Sequence, residues 1–249
     1  MRILALLAAL ALLAPAAGAQ AEPRRFTVGA HAGRIFFDDA SAFDDAGFAG
    51  IDASFALPAF GMGSRSIDLG VGFNMSASLP TTRYDQFPAV LFDFGDTSFI
   101  QGVSQRVTVL EYGLQANVGT TLGRFRVYGL GGAGFYTMRM DPRLEREPRN
   151  FDEGAITTYT EPEFQLGAGI NWIVSRSIGM RAELRNVTWT GFDRERLDAT
   201  VRYAQDQRLR DVFPAPVAAK STINNMRLAI VFNYVPGNAE AASPAEESR

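Results

Sequence analysis

The chain has 249 residues, of which 47% are hydrophobic and 20% are charged, a balance that is typical of a folded protein and excludes an intrinsically disordered one. The formal net charge is −3 and cysteine is absent. The composition therefore excludes nucleic-acid binding through bulk positive charge, a disulfide scaffold and a cysteine-based zinc site.

The N-terminus has the three parts of a secretory signal peptide. Arg2 supplies the basic start, residues 3–15 are apolar, and Ala17-Gly18-Ala19 forms a small-residue cleavage site. We therefore expect residues 1–19 to be removed and the mature chain to lie outside the cytoplasm. The apolar part is too short for a spanning helix, and we expect none later, because no later stretch has the roughly 18 uncharged apolar residues required.

Eight segments of the mature chain alternate apolar and polar residues with the period of two that is typical of a β-strand. The predicted strands cover residues 26–37, 48–57, 65–77, 105–118, 124–138, 160–174, 177–189 and 222–235. They exceed the usual soluble strand of about 5–6 residues. Each is long enough to cross a bilayer as a tilted strand, which takes about 9–11 residues.

The connections between the predicted strands alternate between loops and short turns. The turns are expected at Pro58–Ser64, Gly119–Gly123 and Val174–Arg176, and the loops near residues 38–47, 78–104, 139–159 and 190–221. An even number of strands places both termini on the side of the short turns, as in bacterial outer-membrane barrels. In the last loop, apolar residues at helical spacing predict a short amphipathic helix within Leu197–Val212.

Alternation alone leaves two orientations open. An apolar face that points into a core would give a soluble sandwich or a lipocalin-like barrel, whereas an apolar face that points to lipid would give a membrane barrel with a polar lumen. Strand length, loop asymmetry and the leader together favour the second. We therefore expect Leu69, Phe73, Leu114 and Leu184 to face acyl chains.

The polar face of the predicted strands carries charges of both signs, which we expect to neutralise one another in the lumen. The predicted lumen charges are Asp52, Asp68, Glu111, Arg181, Glu183, Arg185 and Arg227. An eight-stranded barrel is just wide enough for its side chains to fill. The pattern therefore favours a structural plug over a conductive pore, which remains the alternative.

Four strand sequences resemble those of the small outer-membrane β-barrel superfamily that includes OmpX and the membrane domain of OmpA. They are IDLGVGFNMSA (67–77), VYGLGGAGFYTM (127–138), FQLGAGINWIV (164–174) and MRLAIVFNYV (226–235). The resemblance implies an all-β, eight-stranded antiparallel up-and-down transmembrane β-barrel over residues 20–235. It also implies a monomer in a Gram-negative-type outer membrane, in contact with its lipids, including lipopolysaccharide.

The last of these strands, Met226–Val235, resembles the terminal-strand signal that the barrel-assembly machinery recognises. Residues 236–249 are small, polar and acidic, which predicts a disordered periplasmic tail. The tail is far too short for the peptidoglycan-binding domain of full-length OmpA, so the resemblance implies no anchoring to the cell wall.

The function predicted from the sequence is a non-enzymatic structural and surface-interaction role through the external loops, with no cofactor, metal or nucleic-acid partner. One alternative is a narrow pore or small-solute transporter that resembles the OmpW group. Another is a lipid-modifying enzyme that resembles the barrel deacylases and palmitoyltransferases, for which His31, the only histidine, is the candidate. We expect His31 to be structural.

Two local motifs receive ordinary structural interpretations. Asp38, Asp39, Asp44 and Asp45 form an acidic loop, which we expect to be solvated rather than to hold a divalent cation. Residues 129–134 match G-x-G-x-x-G, a nucleotide-binding pattern only where a helix follows the strand. Here the strand pattern continues, so we expect a glycine-rich strand.

Overall fold

The computed structural model describes residues 26–57, 60–62, 65–83, 88–93, 98–102, 106–140, 157–175, 177–193 and 221–236. Its strands are β1 (Phe26–Phe36), β2 (Ala46–Ala56), β3 (Phe60–Met62), β4 (Arg65–Ser78), β5 (Pro88–Asp93), β6 (Ser98–Gly102), β7 (Val107–Leu122), β8 (Phe125–Met140), β9 (Thr157–Ile173), β10 (Ile178–Thr190) and β11 (Thr222–Tyr234). A 3-10 turn, Asp39–Ser41, follows β1. Among the described residues, no helix has the length and hydropathy needed to cross a membrane.

Eight of these strands form a closed antiparallel barrel in the order β1-β2-β4-β7-β8-β9-β10-β11, and β11 pairs with β1 to close the ring. Each barrel strand is therefore hydrogen-bonded on both sides, which satisfies the backbone where water is absent. Strands that follow one another in the barrel are neighbours in space, as in an up-and-down topology. The predicted fold class is confirmed.

The prediction was wrong about one turn. Pairing between β7 and β8 continues through Gly119, Thr120 and Thr121 to the pair Leu122–Phe125, so the turn is reduced to Gly123 and Arg124. Gly123 has a φ of 61°, a left-handed conformation that glycine adopts without a Cβ penalty. The composition of residues 119–123 suggested a longer turn because threonine and glycine occur in both turns and strands.

Two predicted connections contain strands of their own. The short strand β3 lies within the predicted turn Pro58–Ser64 and pairs with the start of β4. Strands β5 and β6 pair as a hairpin inside the predicted loop 78–104. The predicted helix within Leu197–Val212, the signal peptide and the C-terminal tail lie outside the described residues.

The apolar face of the barrel points outward. Leu114 and Leu166 are 71% and 72% exposed, whereas Arg181 and Glu183 in the lumen are 9% and 2% exposed. A water-soluble barrel would show the opposite pattern, because its apolar side chains would be shielded and its charges hydrated. The predicted lipid-facing orientation is confirmed.

The polarity of the two faces reverses towards the loop end of β10. In the middle of the strand, Ala182 and Leu184 point outward while Arg185 points into the lumen. Towards the loop end, Thr188 points outward and Trp189 is fully buried inside. Successive side chains of β10 still point alternately outward and inward along its whole length. The change is therefore in what surrounds the strand and not in its alternation.

The same reversal occurs on β7, β8 and β11. Polar residues take the outward positions at the loop ends of these strands, and apolar residues take the neighbouring inward positions. The outward residues are Thr108, Thr137, Arg139, Thr222 and Asn224, and the inward ones are Val107, Val109, Tyr136, Met138 and Ile223. Above the bilayer a barrel meets water and buries its apolar residues inside. The reversal therefore marks where the barrel leaves lipid.

Candidate functional site in the barrel lumen

An ion pair spans the full width of the lumen. Arg227 on β11 pairs with Glu111 on β7, and these strands lie on opposite sides of the eight-stranded ring. Ser76 on β4 joins the pair, since its hydroxyl accepts from Arg227 Nη1 at 3.2 Å and donates to Glu111 Oε2 at 3.2 Å. Trp189 Nε1 donates to the other carboxylate oxygen at 3.1 Å. Both oxygens of Glu111 are thus bound.

A second group of charges is centred on Glu183. Arg181 lies 2.7 Å from Asp52 Oδ1 through its Nη2 and 3.5 Å from Glu183 Oε1 through its Nε. Arg185 Nε donates to Glu183 Oε2 at 2.9 Å, and the Tyr128 hydroxyl donates to Glu183 Oε1 at 2.5 Å. Because Asp52 is on β2 and Arg181 on β10, this group also crosses the lumen.

Side-chain amides extend the network to further strands. Arg185 Nη1 donates to Gln115 Oε1 and Gln165 Oε1, both at 3.0 Å. Asn74 Nδ2 donates to the same Gln165 oxygen at 3.0 Å, and Gln165 Nε2 donates to Glu163 Oε1 at 2.6 Å. Glu163 is completely buried, and its Oε2 has no hydrogen-bond partner among the described residues.

The turn end of the lumen has its own ion pair. Arg126 Nε donates to Asp68 Oδ1 at 2.7 Å, and Arg126 Nη2 donates to Asn117 Oδ1 at 2.6 Å. The Arg126 guanidinium also lies over the Tyr128 ring, 5.0 Å from its centroid. Tyr128 therefore connects this pair to the group around Glu183.

An aromatic cluster covers the charges at the loop end. Trp189 stacks on Tyr136 with ring centroids 4.7 Å apart and an angle of 19° between the planes. Ring contacts join Phe37, Phe43, Tyr159 and Phe192 to this pair. All are buried, and the Trp189 indole N–H joins the cluster to Glu111. The described lumen thus has an apolar layer above a charged one.

The structure brings six of the seven predicted lumen charges into the two cross-lumen groups, and Asp68 pairs with Arg126 instead. Arg126, Gln115, Gln165 and Tyr128 were not predicted to take part. Strand parity could have placed each of them on the lumen face, but parity does not reveal which opposite side chain each one contacts.

His31 and the acidic loop have structural partners. His31 is 8% exposed and faces the lumen, with Nδ1 3.6 Å from Asp52 Oδ1. In the loop, Arg83 lies 3.0 Å from Asp39 and 3.8 Å from Asp44, while Asp38 accepts from the Ala40 N–H at 2.9 Å. Within the described residues, no three potential metal ligands lie close enough to hold an ion.

The outward apolar belt, the closed ring and the ion-paired lumen define an integral outer-membrane barrel. The chain matches the model of the outer membrane protein beta-barrel domain over residues 4–205 and belongs to that family. The family places the protein in the outer membrane. No curated protein matches the chain in sequence.

The chain is similar to several solved barrels at low sequence identity. Neisserial surface protein A (NspA) is 10% identical with a TM-score of 0.50, covering 84% of this chain and 96% of that one. Ail of Yersinia pestis, in complex with the heparin analogue sucrose octasulfate, is 10% identical with a TM-score of 0.39, over 84% and 97% of the two chains. The barrel domain of OprF from Pseudomonas aeruginosa is 10% identical with a TM-score of 0.34, over 84% and 97%.

Proposed function

We propose that the protein is a non-enzymatic outer-membrane barrel whose lumen is closed by its own side chains and whose loops form a surface for interactions outside the cell. In this proposal the signal peptide ends at Ala19, both mature termini are periplasmic, and the barrel is a monomer. The observation that carries the closed lumen is the Arg227–Glu111 pair, which spans the barrel beneath the cluster around Trp189.

The contacts across the lumen support this proposal because they join strands that are far apart in the ring. Arg181 reaches Asp52 three strands away, and Asn74 reaches Gln165 three strands away in the other half of the barrel. An eight-stranded barrel has little more interior space than its own side chains occupy. We therefore expect the paired charges that meet near the middle to block the passage of a hydrated solute.

The partners in this proposal are the lipids of the outer membrane and the assembly machinery. Four outward residues of β11, Met226, Leu228, Ile230 and Phe232, present an apolar surface to lipid, and each is at least half exposed. The segment Met226–Val235 is the proposed signal to the assembly machinery. Deletion of residues from this segment should therefore reduce the amount of folded barrel in the outer membrane.

Conductance across a planar bilayer tests the closed lumen. We expect the wild-type barrel to give no steady single-channel current, whereas Arg227→Ala should give openings because it removes the side chain that spans the lumen. Leu114→Ala, on the outward face, is the matched control and should remain silent. Steady wild-type current that lumen arginine substitutions abolish would establish a pore instead.

A narrow pore is the second candidate, and the balance of charges in the lumen network predicts which ions it would conduct. Within the described ion-pair and hydrogen-bond network, the carboxylates Asp52, Asp68, Glu111, Glu163 and Glu183 outnumber the guanidinium groups of Arg126, Arg181, Arg185 and Arg227 by one. That excess predicts a cation-selective current. If wild-type channels appear, Glu163→Gln should reduce their preference for cations.

The non-enzymatic part of the proposal is tested separately at His31. Its position inside the lumen, against Asp52, keeps it away from lipid on the outer surface. We expect His31→Ala to leave the lipid composition of the outer membrane unchanged. A lipid species that disappears with this substitution would make the protein a lipid-modifying enzyme.

A further inference from the structure

The outward residues of β8 indicate where the strand enters and leaves the apolar part of the bilayer. Phe125 and Phe135, both about half exposed, bracket a run of small or apolar outward residues. At about 3.4 Å per residue and a tilt of about 45°, residues 125–135 span roughly 24 Å, close to the apolar band of about 25 Å expected for a barrel. Arg139 then lies about 10 Å beyond Phe135, by the same rise and tilt, at the level of lipid headgroups.

Beyond Phe135, the outward faces of β7, β8 and β9, together with Arg106 just before β7, form a patch of arginine and threonine. Its members, which we call the rim patch, are Arg106, Thr108, Thr137, Arg139, Thr158 and Thr160. Arg139 sits between Thr108 and Thr158 in the strand register. Thr137 and Thr160 share a hydrogen bond at 2.8 Å. Both arginines are exposed.

The rim patch differs in charge from the other described residues that point outward at the loop ends of the barrel strands. On β10 and β11 the corresponding outward residues are neutral, including Asn186, Thr188 and Asn224. Arg34 on β1 also points outward, but it lies 3.9 Å from Asp45. Among the described rim residues, the positive charge at headgroup depth is therefore concentrated at Arg106, just before β7, and at Arg139 on β8.

We propose that the rim patch binds the phosphorylated headgroup of an acylated glycolipid in the outer leaflet. The guanidinium groups of Arg106 and Arg139 match phosphate in charge and in donor geometry, and the threonine hydroxyls add donors beside them. Directly below, the rings of Tyr112 and Phe135 lie 6.1 Å apart and face the start of the acyl chains. Charge complementarity selects an anionic lipid over a neutral one.

This proposal rests on one part of the proposed function, the position of the loops outside the cell. Its test does not depend on whether the lumen is closed. The full-length barrel, refolded in detergent, is titrated with diphosphorylated lipid A and with the same lipid A after removal of both phosphates. Bound lipid is counted by native mass spectrometry. We expect the wild-type barrel to bind the phosphorylated form about ten- to a hundredfold more tightly, as two charge-assisted contacts predict.

The double variant Arg106→Gln and Arg139→Gln should lose this preference, and Arg34→Gln, the matched control, should keep it. Because the side chains are exposed, we expect both variants to fold, and heat-modifiable migration on a gel checks this. The comparison of the two lipids on wild-type protein needs no variant. Equal binding of both lipids by the wild type, or an equal loss in the Arg34 control, would overturn the proposal, whatever the conductance shows.

Discussion

The ion pair between Arg227 and Glu111 gives the strongest prediction about stability. Both side chains are almost completely buried, at 3% and 2% exposure. Arg227→Met keeps most of the side-chain volume but leaves the Glu111 carboxylate without its counter-charge. Loss of one partner of a buried pair costs about 3–5 kcal/mol, because the remaining charge is desolvated without compensation.

The second substitution in this test distinguishes lost charge from lost packing. Glu111→Gln, added to Arg227→Met, removes the uncompensated charge but retains an oxygen that can accept from Trp189 Nε1. Replacement of both members of a buried pair by neutral groups is often close to neutral. We therefore expect the double variant to recover at least half of the free energy of unfolding that the single variant loses.

The assay is urea unfolding of the barrel in lipid vesicles, followed by tryptophan fluorescence and by heat-modifiable migration. Arg34→Met is the control, since this exposed arginine lies 3.9 Å from its partner and its loss should cost no more than about 1 kcal/mol. A single variant at Arg227 within about 1 kcal/mol of wild type would refute the buried pair. A double variant as unstable as the single one would show that packing, not charge, is responsible.

Five further substitutions test other parts of the barrel by the same assay. Gly134→Val should prevent folding, because a Cβ there would lie 2.2 Å from a backbone oxygen of β7, whereas Gly131→Ala should fold, because its Cβ would point to lipid with the nearest atom at 3.8 Å. Glu163→Gln should leave stability unchanged or raise it, since one carboxylate oxygen lacks a partner, whereas Glu183→Gln should lower it by removing a charge between two arginines. Trp189→Ala should cost about 3–5 kcal/mol by emptying the aromatic cluster.

Strand parity in the sequence was enough to predict which side chains face lipid and which face the lumen. The alternation of Ala182, Glu183, Leu184 and Arg185 on β10 fixes their directions, because successive side chains of a strand point to opposite faces. Loop lengths then predicted the topology. These features are local or depend only on the order of strands along the chain.

The partners inside the lumen could not be predicted in this way. Arg227 meets Glu111 only because the ring closes and its tilt brings β11 and β7 to the same depth, and neither fact is visible in one strand. The aromatic cluster was missed for a different reason. The sequence interpretation expected apolar residues to face outward and polar residues to face the lumen, so it assigned no role to Trp189 on the lumen face. Where the barrel extends beyond the bilayer into water, however, its interior must be apolar.

The orientation of the two faces can be measured directly with the two tryptophans of the chain. Trp172 is 43% exposed on the outward face, and Trp189 is completely buried in the lumen. Each is studied alone, in the variants Trp189→Phe and Trp172→Phe, in vesicles whose acyl chains carry bromine near the headgroup. The account predicts strong quenching of Trp172 and almost none of Trp189. Equal quenching of both, or stronger quenching of Trp189, would contradict it.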